Sequence, residues 1–186
     1  MIYAAPRRKQ HLITQPQTND RITYIIYIVM RKIKNPWIGA EGYNCFACCP
    51  DNPHGLHMEF YEDGDEVVCR WQPSVDFQSW IDTVHGGIQA TLIDETCGWV
   101  ISRKFQTVGV TTKMEIRYHK PVRTSAGVLE IRARVVEQRR NLLTVEAEIR
   151  NPEGVVCTSA TAGFFLTPRE KLDPMYHRDY VLEDEE

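Results

Sequence analysis

The middle and C-terminal parts of the chain alternate between apolar and polar residues with a period of two. The pattern runs through four long segments, 108–118, 128–136, 142–150 and 155–166. A period of two is typical of strands that bury one face, so each segment is predicted to be a β-strand. Short turn sequences between them, such as 151–154, favour antiparallel neighbours. Two shorter strands are predicted near 56–61 and 66–71, which gives about six strands.

Segment 108–118 shows the alternation most clearly. Its even-numbered positions are predicted to share one mostly apolar face: Val108, Val110, Thr112, Met114, Ile116 and Tyr118. Its odd-numbered positions, Thr111 among them, are predicted to form the opposite, polar face. The strand is therefore expected to be half buried.

Residues 85–101 follow a different period. Apolar side chains recur there at the three- and four-residue spacing of a helix: Ile88, Leu92, Ile93, Cys97, Val100 and Ile101. Before Arg103 the only charges are those of Asp94 and Glu95, so the helix is expected to be largely buried. The predicted fold class is α+β, with an antiparallel sheet of about six strands wrapped around one long buried helix.

The two ends of the chain differ from this body. Residues 1–34 hold seven Lys or Arg and one Asp, without usable periodicity. They are predicted to be an extension, either disordered or preceding a natural start at Met30; the alternative is a genuine arm in which 22–29 forms a strand. Residues 35–167 are predicted to form the domain, and residues 168–186 are predicted to form an acidic, solvated tail.

Composition narrows the class of protein. The chain has 186 residues, 42% of them hydrophobic, and a net charge of −3, which is typical of one globular domain and argues against nucleic-acid binding. The longest apolar run, near 22–30, is about half of what a bilayer requires, and no cleavage pattern follows it. We therefore expect a cytoplasmic protein that binds neither nucleic acid nor a membrane. Six cysteines, three clustered and three single, are compatible with reduced thiols.

Asp94 and Glu95 lie in the middle of the apolar helix. Burial of a carboxylate is costly unless the group is paired, hydrogen-bonded or neutralised. A desolvated carboxylate can serve as a base or an acid. Adjacent helix residues point about 100° apart, so one of the two is expected to face solvent or to pair with an arginine from a strand.

The sequence His85-Gly86-Gly87 opens the helix. Glycines allow a ligand to come close to the backbone, and the first N–H groups of a helix can bind an anion or a polarised carbonyl oxygen. Asp94 follows Gly86 by eight residues, or about 12 Å along the axis. Two antiparallel helices across a dimer axis could bring Asp94 of one subunit near Gly86 of the other, so the spacing favours a dimer with shared sites. A plain loop is the alternative for the two glycines.

The motif His85-Gly86-Gly87-Ile88-x-Ala90-x-Leu92-x-Asp94, set between strands in this order, resembles the hotdog-fold acyl-CoA thioesterases. The PaaI-like enzymes of the phenylacetate type are the most similar group, and the resemblance covers roughly residues 42–167. It implies an acyl-CoA substrate that is hydrolysed to a free acid and CoA. It also implies a homodimer or a dimer of dimers with sheets paired edge to edge, and neither metal nor cofactor.

The resemblance also assigns catalytic roles. Asp94 would be the general base or the nucleophile, and the Gly86 N–H would polarise the thioester carbonyl. His85 would orient the site or the substrate, and Thr111 matches a hydroxyl near the attacking water. One carboxylate with N–H donors is sufficient for thioester hydrolysis.

Further residues are expected to bind substrate. Gln78, Ser79 and Trp80 precede the motif, and Gly87 belongs to its helix start. Thr112 follows Thr111, and Arg139 and Arg140 could hold the CoA phosphates. Some relatives carry an asparagine six residues before the histidine, and Ser79 occupies that position here. Solvated surface is the alternative for the two arginines, and a core position is the alternative for Trp80.

The segment from Cys45 to His57 contains a Cys-x-x-Cys pair. Cys45, Cys48, His54 and His57 could supply four tetrahedral zinc ligands. The second cysteine pair of a zinc ribbon is missing, however, and relatives carry a similar stretch as a structured loop. A packed turn leading into the strand at Leu56 is favoured, and neither a metal site nor a nucleophilic Cys45, Cys48 or Cys49 is expected.

Alternative functions remain open at this point. The first is a non-catalytic protein of the same fold that binds acyl-CoA or another small ligand. The second is a hydratase or dehydratase, although the aspartate nine residues after the histidine fits a hydrolase better. The third is a zinc-dependent interaction module, which depends only on the cysteine segment.

Overall fold

A computed structural model describes residues 30–185, and within them one long helix lies against a seven-stranded sheet. The elements, in chain order, are β1 (Arg31–Lys32), β2 (Phe60–Asp63), β3 (Glu66–Trp71), α1 (Gly86–Phe105), β4 (Gly109–Tyr118), β5 (Leu129–Arg139), β6 (Leu142–Arg150) and β7 (Val156–Leu166). The strand order is β1-β2-β3-β5-β6-β7-β4, and every neighbouring pair is antiparallel. The predicted fold class is confirmed, with the short strand β1 as an addition.

Helix α1 begins and ends with defined caps. His85 is the N-cap, and its Nδ1 accepts a hydrogen bond of 2.9 Å from the Gly87 N–H. At the other end Gln106 adopts a left-handed conformation with φ of 50° and bonds back to the Ser102 carbonyl, which stops the helix. No helix in the described part of the chain is long and apolar enough to cross a membrane.

The central strands bury alternate residues against α1, as predicted. In β5 and β6 the inward side chains are Leu129, Ile131, Ala133, Leu143, Val145, Ala147 and Ile149, all buried. The helix meets them with Leu92, Ile93, Cys97 and Val100, each with 0% exposure. Outward residues are charged, and Arg132 there forms ion pairs with Asp63, Glu66 and Glu130. The core therefore lies between one sheet face and the helix.

An irregularity in β4 changes which residues face the helix. The register between β4 and β7 shifts just after Thr111, as at a β-bulge. Thr111 bonds to Asp94 of α1, and Tyr118 bonds to Gly86 of α1. An odd-numbered and an even-numbered residue of β4 therefore lie on the same face of the strand, the one turned toward α1. The prediction that they lie on opposite faces is wrong, because a bulge adds one residue and inverts the alternation beyond it. Val110, expected on the buried face, is 61% exposed.

The C-terminal segment is not the fully solvated tail that its acidic end predicts. Tyr180 and Leu182 are 7% and 1% exposed, and Leu182 forms a β-bridge with Ile33. The Trp37 Nε1–H donates to the Tyr180 hydroxyl over 2.8 Å. Backbone hydrogen bonds join 32–34 to 181–183, and they hold the buried side chains of Ile33 and Leu182 at this edge of the sheet. The sheet thus begins inside the segment assigned to the extension, whereas the predicted strand 22–29 lies outside the described residues.

Candidate active site

The most prominent polar contact on α1 joins Asp94 to β4. Asp94 lies near the middle of the helix, and its Oδ1 accepts a hydrogen bond of 2.7 Å from the Thr111 hydroxyl. The carboxylate is half-buried and Thr111 is exposed. The bulge in β4 turns Thr111 toward the helix. The arrangement is an oriented carboxylate that water can still reach.

A second group of contacts forms at the helix start. Because the Nδ1 of His85 accepts the Gly87 N–H, the proton of a neutral His85 ring is on Nε2, which remains available as a donor. The Tyr118 hydroxyl donates to the Gly86 carbonyl over 3.0 Å. The Gly86 N–H is among the N-terminal donors that an α-helix leaves without an intrahelical acceptor. Sequence reasoning missed Tyr118, which it had placed on the apolar face with no functional signal.

Side chains would crowd this helix start. A Cβ at Gly86 would lie 3.4 Å from the Tyr118 hydroxyl, and a Cβ at Gly87 would lie 3.1 Å from the Nδ1 of His85. The two glycines therefore keep the backbone accessible between a histidine and a tyrosine. The close approach of a ligand to this backbone stays a prediction.

Glu95 points away from Asp94. Its Oε1 accepts hydrogen bonds from the Cys48 thiol at 2.9 Å and from the Trp99 indole at 3.0 Å. Burial raises the pKa of the Glu95 carboxyl. The two carboxylates face different sites, as their helical spacing predicts. Neither carboxylate is paired with a strand arginine among the described contacts: a thiol and an indole satisfy Glu95, whereas Asp94 bonds to a hydroxyl and remains within reach of water.

The segment 78–84 is a tight turn stabilised by its own backbone. Gln78 forms a β-bridge with Val84, and both the N–H and the hydroxyl of Ser79 donate to the Thr83 carbonyl. Trp80 is 81% exposed at the tip of the turn. In the described chain these contacts do not bring Gln78, Ser79 or Trp80 to Asp94.

The other expected substrate-binding residues have local partners. The Thr112 hydroxyl donates to the Gly163 carbonyl over 3.0 Å. Arg139 forms an ion pair with Glu137 at the turn between β5 and β6, beside Arg140. This turn is three strands from β4 in the sheet order, or about 14 Å. The structure therefore unites Asp94 with Thr111 and His85 with the glycines, but does not bring the arginines or Thr112 into that group.

The cysteine segment forms the packed turn that the sequence favours. The Leu56 N–H bonds to the Phe46 carbonyl, and Leu56 is 3% exposed. The His57 ring bonds to the Asn52 carbonyl over 2.6 Å. Cys45 and Cys48 instead approach Glu95. The thiol of Cys48, together with backbone N–H groups, lowers the pKa of Cys45 to about 6.

Comparison with known proteins identifies proteins that are similar to this chain. The model of the thioesterase superfamily matches residues 82–158, the stretch from the turn before α1 into β7. A hypothetical thioesterase of Streptococcus pneumoniae TIGR4, solved with coenzyme A, is 29% identical. The match covers 59% of this chain and 85% of that one, with a TM-score of 0.55.

Two further structures show the same fold at lower identity. A protein of Streptococcus mutans UA159, bound to acetyl CoA, is 23% identical over 59% of this chain and 88% of that one, with a TM-score of 0.54. A thioesterase of Haemophilus influenzae is 19% identical over 60% of this chain and 79% of that one, with a TM-score of 0.55. Among curated proteins, the same kind of comparison finds no match.

Proposed function

We propose that this chain, which carries a hotdog domain of the thioesterase superfamily, hydrolyses an acyl-CoA thioester to a free acid and CoA. The observation that carries the proposal is the bond between the Asp94 carboxylate and the Thr111 hydroxyl, on a helix whose first N–H, that of Gly86, has no intrahelical acceptor. The relatives solved with coenzyme A and with acetyl CoA support this ligand class. The motif from His85 to Asp94 makes the PaaI-like type the proposed subtype.

In this mechanism Asp94 acts as the general base. Thr111 holds the carboxylate, which removes a proton from water as the water oxygen attacks the thioester carbonyl carbon. The carbonyl oxygen becomes an oxyanion, and an N–H at the start of α1, that of Gly86, stabilises it. The C–S bond then breaks, and the proton held by Asp94 passes to the leaving thiolate. Removal of one oxyanion donor typically costs 10²–10³ in rate.

One protomer does not bring these two groups together. Gly86 and Asp94 are eight residues apart on a continuous helix, or about 12 Å, which is too far for both to contact one thioester carbonyl. Both nevertheless bond to the same strand, through Tyr118 and Thr111. The site is therefore proposed to combine Asp94 of one copy with Gly86 of another.

Strand β4 is the proposed dimer contact. It pairs with β7 on one side and, among the described residues, has no strand partner on the other. A free strand edge can pair with a second copy. Antiparallel pairing about a two-fold axis near Met114 would set the partner's Tyr118 about two residues, or about 7 Å, from Thr111. The partner's Gly86 would then lie toward Asp94.

A cytoplasmic location belongs to the same proposal. All six cysteines are free thiols in the structure, which suits a reducing compartment. The proposed acyl-CoA substrate fits that compartment as well.

The test is thiol release from a panel of acyl-CoAs that includes acetyl, long-chain, phenylacetyl and hydroxybenzoyl thioesters. Asp94→Asn keeps the shape of the side chain but removes the base, so we expect a fall in kcat of about 10²–10⁴. Asp65→Asn, an exposed position in the turn between β2 and β3, is the matched control and should retain full activity.

Each outcome has a distinct meaning. Turnover that persists in Asp94→Asn would remove Asp94 from the mechanism. Acyl-CoA binding without turnover in the unmodified protein would favour the alternative, a non-catalytic acyl-CoA or small-ligand binding protein.

A further inference from the structure

A compact group of two thiols and a carboxylate lies on the side of α1 away from Asp94. Cys45 and Cys48 come from the loop before β2, and Glu95 comes from the helix. The Sγ atoms of the two cysteines and a carboxylate oxygen of Glu95 all lie within 4.8 Å of one another. The thioesterase mechanism uses none of the three.

The spacing of these atoms resembles that of a metal site. With Zn–S bonds of about 2.3 Å and Zn–O bonds of about 2.0–2.2 Å, the ligand atoms of a tetrahedral zinc are about 3.5–3.8 Å apart. The Glu95 Oε1 lies 2.9 Å from the Cys48 sulfur and 4.0 Å from the Cys45 sulfur. Both sulfur–oxygen distances differ from that range by less than 1 Å, and the two sulfur atoms lie within 4.8 Å of each other.

Neighbouring groups hold two of the three ligands in place. The Tyr43 hydroxyl lies 3.1 Å from the Cys48 sulfur. The Trp99 indole donates to the Glu95 Oε1 over 3.0 Å. Such outer contacts orient metal ligands and are a regular part of metal sites.

The charge of the cluster also favours a cation. The donors to the Glu95 Oε1 are the Cys48 thiol and the Trp99 indole, and neither supplies positive charge to this partly buried carboxylate. A buried carboxylate normally requires such compensation. A divalent cation would supply it and would also favour the thiolate forms of both cysteines.

A cavity beside Cys48 gives an ion access to the proposed metal site. A cavity of about 160 Å³ is lined by Cys48 and Trp99, together with residues of 32–38 and 57–60. Three protein ligands leave one tetrahedral position for water, and one of the three, Cys48, lines this cavity.

We propose that Cys45, Cys48 and Glu95 bind a thiophilic divalent cation, with zinc as the best match, and that the ion fastens the loop 35–58 to helix α1. The ligand set differs from the one that the sequence suggests, since Glu95 takes the place of His54 and His57. The role is structural and does not depend on the proposed thioesterase activity.

The experiment uses the full chain, purified with reduced thiols under nitrogen, stripped with a chelator and then offered zinc. We expect about one zinc per chain by mass spectrometry after gel filtration, and a higher melting temperature with zinc than without it. Co²⁺ in place of zinc should give a thiolate-to-metal charge-transfer band and the intense d–d bands of tetrahedral cobalt.

Variants assign the ligands. Cys45→Ala and Cys48→Ala should each lose stoichiometric zinc and the charge-transfer band. Glu95→Gln should weaken zinc binding by about tenfold or more. Cys49→Ala is the matched control, because its thiol donates to the Tyr43 carbonyl rather than to the cluster, and it should bind zinc as the unmodified chain does.

Circular dichroism of the metal-free variants separates loss of a ligand from loss of the fold. Failure of the reduced, folded protein to take up zinc would overturn the proposal. Retention of zinc by folded Cys45→Ala and Cys48→Ala would overturn it as well.

Discussion

Asp94 and Glu95 are neighbours in the sequence but lie in separate environments. Asp94 meets a hydroxyl on an exposed strand edge, whereas Glu95 meets thiols and an indole beneath a loop. Their functions can therefore be separated by substitution at each position. At the scale of single residues, the contact between Asp94 and Thr111 is the feature most open to test.

Replacement of Thr111 by valine should lower kcat about tenfold and change KM little. The substitution keeps the β-branched shape but removes the hydrogen bond that orients the Asp94 carboxylate. Hydrogen bonds to charged groups contribute about 1.5–3 kcal/mol, and about 1.4 kcal/mol corresponds to tenfold in rate. Steady-state thiol release on the best acyl-CoA of the panel gives both constants.

Thr112→Val provides the control for this substitution. Its hydroxyl bonds to the Gly163 carbonyl instead of Asp94, so activity should stay within about twofold while stability falls by about 0.5–1.5 kcal/mol. Equal losses of activity in the two variants would show that the strand, and not the contact with Asp94, is responsible.

At the scale of elements, strand β4 shows what alternation predicts and what it cannot. The period-two pattern correctly predicts a strand over 109–118, and helical spacing correctly predicts α1 with Asp94 near its middle. The bulge after Thr111 leaves no mark in the pattern, because the residues on both sides continue to alternate. Thr111 was therefore named only through the family resemblance, as a hydroxyl near the attacking water, and its contact with Asp94 was not predicted.

Long-range contacts account for the other differences. Glu95 and Cys48 are 47 positions apart, and nothing local connects a helix carboxylate with a loop thiol. Leu182 pairs with Ile33 across almost the whole described chain, whereas its acidic neighbours suggest solvent exposure. The local sequence pattern predicts the helix and the strands well. It does not predict these long-range contacts, because they form only when the distant segments pack together in the folded chain.

The turn before α1 is held by a carboxylate whose ionisation can be tested. Hydrogen bonds from Ser125, with smaller contributions from Thr124 and Arg123, lower the pKa of Asp82 to about 2 from its ordinary value of 3.8. A carboxyl whose pKa is lower in the folded chain stabilises the fold above about pH 4. This contribution is lost as the pH falls from about 4 to about 2.

We therefore expect Asp82→Asn to be less stable than the unmodified chain at about pH 6 and equally stable near pH 2. Asp82 has a φ of 55°, and asparagine accepts this left-handed conformation, so the substitution removes the charge and the acceptor for Arg123 without straining the backbone. Unfolding by urea at several pH values measures the difference. A stability gap that is the same at every pH would show that the ionised carboxylate contributes nothing.

At the scale of the whole molecule, charges on β4 favour one register of the proposed dimer. Lys113, Glu115 and Arg117 follow one another on the outward face of the strand. A two-fold axis at Met114 would place Lys113 opposite the partner's Glu115, twice by symmetry. An axis at Glu115 would instead oppose two glutamates, and like charges directly opposite each other destabilise a strand pair.

Exchanging the charges at 113 and 115 tests this register. Glu115→Lys and Lys113→Glu should each raise the Kd of the dimer about tenfold at low salt, because each creates two like-charge pairs worth up to about 1 kcal/mol apiece. The double exchange restores opposite charges and should return the Kd to within about twofold of the original value. Sedimentation velocity over a dilution series gives the Kd, and high salt should shrink all the differences. These side chains do not face each other if both single variants keep the dimer Kd of the unmodified chain. The same conclusion follows if the Kd of the double variant is raised by as much as the two single substitutions together.

If the dimer does complete the site, thioesterase activity at low protein concentration should fall in the single variants and recover in the double variant, in step with the Kd.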